Sequence, residues 1–112
     1  MSADLLKRRI AARQRNKELE GKTFTLRRPT EFELVKYANS SRLEFLAACI
    51  DDVNLTEADV ISNGSAEVPV PFDRALVFDW LQEHSEMWKP LSNEVNDMLR
   101  VHREAQEEAA KN

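Results

Sequence analysis

The sequence predicts a mainly α domain of the α+β class, a helical body with a small β strand or hairpin element and extended N- and C-terminal helices. Three observations carry this. Apolar residues recur at helical spacing in Leu76, Val77, Trp80 and Leu81, and again in Leu91, Val95, Met98 and Leu99. Thr30, Ser41 and Asp73 stand just ahead of helical patterns, where N-caps are expected. One short stretch, residues 22–28, alternates instead, with Phe24 and Leu26 on one face and Thr23 and Thr25 on the other.

A chain of 112 residues forms one domain and buries roughly two thirds of its unfolded surface. The organisation read from the sequence is a basic N-terminal helix or arm over residues 1–21, a single globular helical domain over 22–101, and a frayed C-terminal helical tail over 102–112.

Taken in order, residues 3–20 read as one helix of good helix formers without Gly or Pro, stopping at Gly21. Its apolar stripe is short (Leu5, Leu6, Ile10), so little holds it without a partner. The alternating strand at 22–28 ends at Pro29. Thr30 with Glu33 makes a capping box that starts a helix near Glu31, with Phe32, Leu34 or Val35, and Ala38 turned inward. Ser41 caps a second helix from Arg42 to about Ile50. Asp51, Asp52, Val53 and Asn54 close that helix, and Thr56–Asp59 forms a loop or a single turn. Asn63-Gly64 is a turn signal, and a short hairpin there would pair Val60-Ile61 with Val68-Pro69-Val70, the prolines confining the second arm to an edge. Asp73 caps the apolar helix that follows. A turn holding Met87 and Trp88 leads into a last helix starting near Lys89 or Pro90. Beyond Arg103 its apolar face is lost. The expected core is Phe24, Leu26, Phe32, Leu43, Leu46, Ile50, Phe72, Leu76, Trp80, Leu81, Leu91 and Val95.

The chemistry-bearing residues argue against catalysis. Cys49 lies in an apolar run far in sequence from His84 and His102, and reads as a small buried hydrophobe in a reducing compartment. The two glycines cannot build a phosphate-cradling loop, and the serines lack a nucleophile elbow. Asp51, Asp52, Asn54, Glu57 and Asp59 have neither the central Gly nor the spacing of a calcium loop, and read as a solvated loop. We therefore expect no enzyme activity, no metal and no cofactor. Trp80 and Trp88 read as core, with an interface anchor as the sharper alternative. No apolar run is long enough to span a membrane, and the N-terminal segment lacks the pattern of a signal peptide.

Charge is divided unevenly. Residues 1–28 hold nine Lys/Arg against three Asp/Glu, a net of +6; residues 29–112 hold seven against seventeen, a net of −10. A basic front end on an acidic body can bind an acidic partner, bind nucleic acid, or fold back on its own body. Lys7, Arg8, Arg9, Arg13, Arg15 and Lys17 are the candidate partner-binding residues. The acidic body, and the lack of an aromatic residue among these charges, argue against nucleic acid.

Three stretches carry a family resemblance: residues 25–30 (Thr-Leu-Arg-Arg-Pro-Thr), residues 46–52 (Leu-Ala-Ala-Cys-Ile-Asp-Asp), and Val70-Pro71-Phe72-Asp73 leading into an apolar helix that ends at a tryptophan. In this order they resemble the small tail-assembly chaperones of tailed bacteriophages, which are encoded beside the tape measure protein. The resemblance spans roughly residues 22–100 and leaves out the first twenty. It implies a small, mainly helical protein of the bacterial host cytoplasm or a prophage, absent from the mature virion. Such a protein holds the tape measure protein and recruits tail-tube subunits; some members are also made in a longer, frameshifted form. No binding residue is carried over by the resemblance, so the six basic residues rest on charge alone. Homo-oligomerisation stays open. The alternatives are a regulator using residues 5–17 as a nucleic-acid arm, or a minor virion structural or connector protein.

Overall fold

A two-residue turn sets the first tertiary feature. In a computed structural model describing residues 2–111, Glu20 and Gly21 both take positive φ, at 53° and 75°. This is the backbone a tight hairpin demands. It joins β1 (Gln14–Leu19) to β2 (Lys22–Arg27) in antiparallel register, with Leu19 opposite Lys22 and Gln14 opposite Arg27. The helix expected over residues 3–20 is thus corrected: α1 covers only Ser2–Ala12, Arg13 turns the chain, and Gln14–Leu19 is a strand. The physical reason is pairing. A polar segment with no apolar stripe gains little as a helix, and here β2 supplies a full ladder of backbone partners.

A third strand, β3 (Ile50–Val53), completes a sheet of order β1-β2-β3. It corrects the expectation that these residues close a helix. Its register slips between Thr25 and Leu26: Asp52 faces Thr25, Ile50 faces Leu26, and Asp51 is the extra residue of a β-bulge.

Between the strands lie α2 (Glu31–Lys36) and α3 (Arg42–Ala48). Both expected caps are present. The Thr30 hydroxyl accepts from Glu33 N while Glu33 accepts from Thr30 N, and the Ser41 hydroxyl accepts from Glu44 N. After β3 comes α4 (Glu57–Val60), a single turn, where Asp59 accepts from Thr56 N at 2.8 Å. The hairpin expected around Asn63-Gly64 reduces to one bridge, between Thr56 and Pro69. Gly64 is required there by close approach: a Cβ on it would lie 2.2 Å from Glu57 O. Then α5 (Arg74–Gln82), capped by Asp73, leads through a 3₁₀ turn (Ser85–Met87) to α6 (Trp88–Ala110). Pro90 sits in the first turn of α6, where its missing N–H costs nothing.

The inner face of the sheet meets α3, α5 and α6. Phe24, Leu26, Ile50, Leu81 and Leu91 are fully buried at the centre, joined by Leu46, Val53, Leu55, Val77, Trp80, Val95 and Met98. Phe24 and Trp80 meet with ring centroids 6.4 Å apart. Trp88 docks its indole N–H on Leu81 O at 2.6 Å. Phe32 is corrected: it is 73% exposed, with Val35 at 77%. The short α2 lies at the outside of the molecule and turns Phe32 and Val35 to solvent. Leu43, Phe72 and Leu76 pack at the rim of the core or are half-buried. Cys49 is buried, and burial pushes its thiol up to about 12.

Glu33 and Asp59 are held below the usual carboxylate range. Burial opposes their charge, but Arg27 and Thr30 outweigh it at Glu33, as do Thr56 and Lys22 at Asp59. A carboxylate with a lowered folded-state pKa stabilises the fold above its unfolded value of roughly 4, and this contribution is lost as pH falls through the folded value. The urea midpoint should therefore drop between about pH 6 and about pH 3, and Glu33→Gln should flatten part of that slope. Leu81→Ala should cost about 2–5 kcal/mol in urea unfolding, whereas Phe32→Ala should stay within about 0.5 kcal/mol.

Candidate functional site

The six basic residues singled out by charge divide into three groups. Lys7, Arg8 and Arg9 lie on the exposed part of α1, where Arg8 stands 3.8 Å from Asp4 in an open i,i+4 pair. Beside them Leu5 and Leu6 are 58% and 57% exposed. This helix presents cations and apolar side chains together to solvent.

Arg15 and Lys17 are committed elsewhere. They share the inner face of β1 with Leu19, opposite Leu26 and Phe24, and α6 packs over that face. Arg15 donates to Glu94 at 2.6 Å and to Asp97 at 2.9 Å, and Lys17 lies 3.5 Å from Glu94. These bonds to Glu94 and Asp97 raise the Arg15 pKa. Bonds from Arg100 and Arg15 hold Asp97 low. Here the basic front end folds back on the acidic body, one of the three outcomes its charge allows. Arg13 forms the third group. It is half-buried at the α1–β1 junction, and Arg28 N donates to its carbonyl at 2.7 Å.

A second exposed apolar pair, Phe32 and Val35, lies one turn apart on α2. Behind α2 stands an ionic cluster that joins the capping-box Glu33 and Asp51 of the acidic group to two arginines, Arg27 and Arg74, which the sequence did not mark as site residues. Arg27 bonds Glu33, donates to Asp51 at 3.0 Å, and donates to Ala48 O at 2.6 Å. Arg74 donates to Ala47 O and Ile50 O at 2.6 and 2.8 Å. The bulged Asp51 also accepts from Gln14 at 2.8 Å. Burial works to lower the Arg27 pKa, but Glu33 and Asp51 raise it on balance. The one sequence signal was the strand arginine six residues ahead of the capping-box Glu33.

The acidic residues expected in a solvated loop instead serve strand and helix geometry. Asp52 accepts from Val53 N, Asn54 accepts from Thr23 N, and Asp59 caps α4 and pairs with Lys22 at 3.0 Å. Among the described residues no group of three or more His, Cys, Asp or Glu side chains is placed to hold a metal ion. His84 stacks on Trp80 with centroids 4.2 Å apart, and His102 lies half-buried on α6. An open groove of about 440 Å³ runs between α3 and α6, lined by Arg42, Leu43, Trp88 and Asn96 among others. Among the described residues no helix is long and apolar enough to cross a membrane. No family model, curated protein or solved structure matches the chain.

Glu94→Gln leaves two cations of β1 facing α6 with weaker partners. It should cost about 1 kcal/mol, with the loss shrinking at high salt, as read from urea unfolding at two ionic strengths.

Proposed function

We propose that this chain is a non-catalytic tail-assembly chaperone of a tailed bacteriophage or prophage. In this reading it holds the helical tape measure protein and brings tail-tube subunits to it. The motif resemblance over residues 22–100 supplies the class. The structural observation that supports it is the exposure of large apolar side chains on two helices, Leu5 and Leu6 on α1 and Phe32 and Val35 on α2. Unpartnered apolar helix faces suit the capture of an amphipathic helical client, which docks through side chains one turn apart. The cations Lys7, Arg8 and Arg9 flank the first face and would steer an acidic client to it.

The protein would act in the host cytoplasm and be absent from the mature virion. Engagement of Arg15 and Lys17 by α6 leaves fewer free cations for a nucleic-acid arm, which supports the chaperone reading over the regulator. Co-expression with the tape measure protein encoded beside it should raise that protein's soluble yield, and the two should co-purify. Leu5→Asp with Phe32→Asp should reduce capture at least about tenfold without unfolding the chain, since both sites are exposed. Unchanged solubility together with no complex in the pull-down would remove the proposal.

A further inference from the structure

Arg13 and Arg28 face one another just past the last pair of the β1–β2 ladder, fixed by the 2.7 Å bond from Arg28 N to Arg13 O. Like charges opposite each other on neighbouring strands destabilise a sheet. The two arginines within the strands have carboxylates: Arg15 has Glu94 and Asp97, and Arg27 has Glu33 and Asp51. Arg13 and Arg28 have none within ion-pair distance among the described residues. The Arg28 guanidinium donates to Pro29 O at a long 3.4 Å, and Arg13 Nε is buried with no hydrogen-bond partner. Both side chains line an open cleft of about 230 Å³ walled by Met98, Val101 and His102 of α6. Burial, then the charge of Arg13, press the Arg28 pKa down, with Glu31 acting the other way.

We propose that this cleft seats a carboxylate from an acidic, amphipathic helix of a partner protein. The inference rests on the reading above that the chain holds a helical client, and it names the chemistry of one contact. Two guanidinia converging on a cleft offer the paired N–H donors that a planar carboxylate accepts. The wall formed by Met98 and Val101 suits the methylene stem of a glutamate. The apolar stripe of α1 ends beside the site: Leu6 and Ile10 lie at i and i+4 on one face of the helix, and Arg13 follows in the turn after Ala12, its N–H donating to Ile10 O. A client helix along that stripe would lay its apolar side on Leu6 and its carboxylate on the arginines. The net charge of −10 over residues 29–112 disfavours an extended polyanion at this place while leaving room for one local negative charge.

The test uses the full chain and three probes: a labelled helical peptide with a leucine stripe and glutamate at every fourth position, the same peptide with glutamine, and a short DNA duplex. Anisotropy should show the glutamate peptide bound about tenfold or more tighter than the glutamine one. Arg13→Gln and Arg28→Gln should each erase that preference. In chloride buffer without peptide, Arg28→Gln should melt at the same temperature as the parent chain or higher, because a repulsion has been removed. A lower melting temperature would mark Arg28 as a structural arginine and overturn the proposal. So would an undiminished preference in the double variant, or Arg28-dependent binding of the duplex without binding of the glutamate peptide. Capture of the tape measure protein without any glutamate preference overturns this inference alone. A glutamate preference without capture overturns the assembly reading alone.

Discussion

The fold depends on the carbonyls at the C-terminus of α3. A helix ends with carbonyls that its own backbone cannot satisfy, and here that end is packed against the sheet. Two arginines from distant parts of the chain meet it. Arg27 reaches Ala48 O from β2, and Arg74 reaches Ala47 O and Ile50 O from the start of α5. Cations at this position also complement the helix dipole. Asp51 and Glu33 then balance the charge that has been drawn in. One polar knot therefore ties β2, α2, α3, β3 and α5 together, and the apolar core closes beneath it. A lone buried charge would be costly, but here each charged member bonds more than one partner.

A second constraint works at the other edge of the sheet. The inner face of β1 bears Arg15 and Lys17 where a buried strand would bear apolar residues. They are tolerated because α6 lays Glu94 and Asp97 over them. Charge thus works at both edges: at β1 through Glu94 and Asp97 on α6, and at β3 through Asp51 with Arg27 and Arg74. Past this contact both helices leave the body. α1 departs from the junction at Arg13, and α6 continues beyond His102 with exposed side chains to Ala110. Both flank one cleft, and the molecule reaches 57 Å in its longest dimension. The exposed lengths of α1 and α6 thus begin where the contacts between β1 and α6 end.

Much of the helical architecture was legible because its signals are local. The caps at Thr30, Ser41 and Asp73 and the stripes of α5 and α6 need only neighbours within a turn or two. The β1 strand was not legible, because its propensities favour helix and its stability comes from β2 and α6. The clue available was Glu20-Gly21, readable as a hairpin turn as well as a helix stop. β3 was hidden for a similar reason: Ile50, Asp51, Asp52 and Val53 do not alternate, because a bulge shifts the pattern midway. Phe32 misled because a capping box announces a helix without saying which face is buried, and α2 is too short to show a stripe. Of the six basic residues, charge alone could not separate those exposed on α1 from those bound by α6. That division depends on a contact between residues nearly eighty positions apart. Arg28 carries no local signal of this kind, since only strand pairing sets it opposite Arg13.

The bulge at Asp51 also bears on how this chain tolerates changes of length. Removing one residue from β3 would regularise the ladder with β2, yet it would take away the position that carries the shared carboxylate or shift its side chain to the other face. Adding one would displace Val53 from the core. Insertions and deletions should therefore be rare among descendants of this sequence between Cys49 and Leu55. The stretch from Ser62 to Glu67 is exposed for most of its length and held by few backbone bonds, so it can lengthen at small cost. Length variation would gather there, with Gly64 as the one position in the loop that cannot drift.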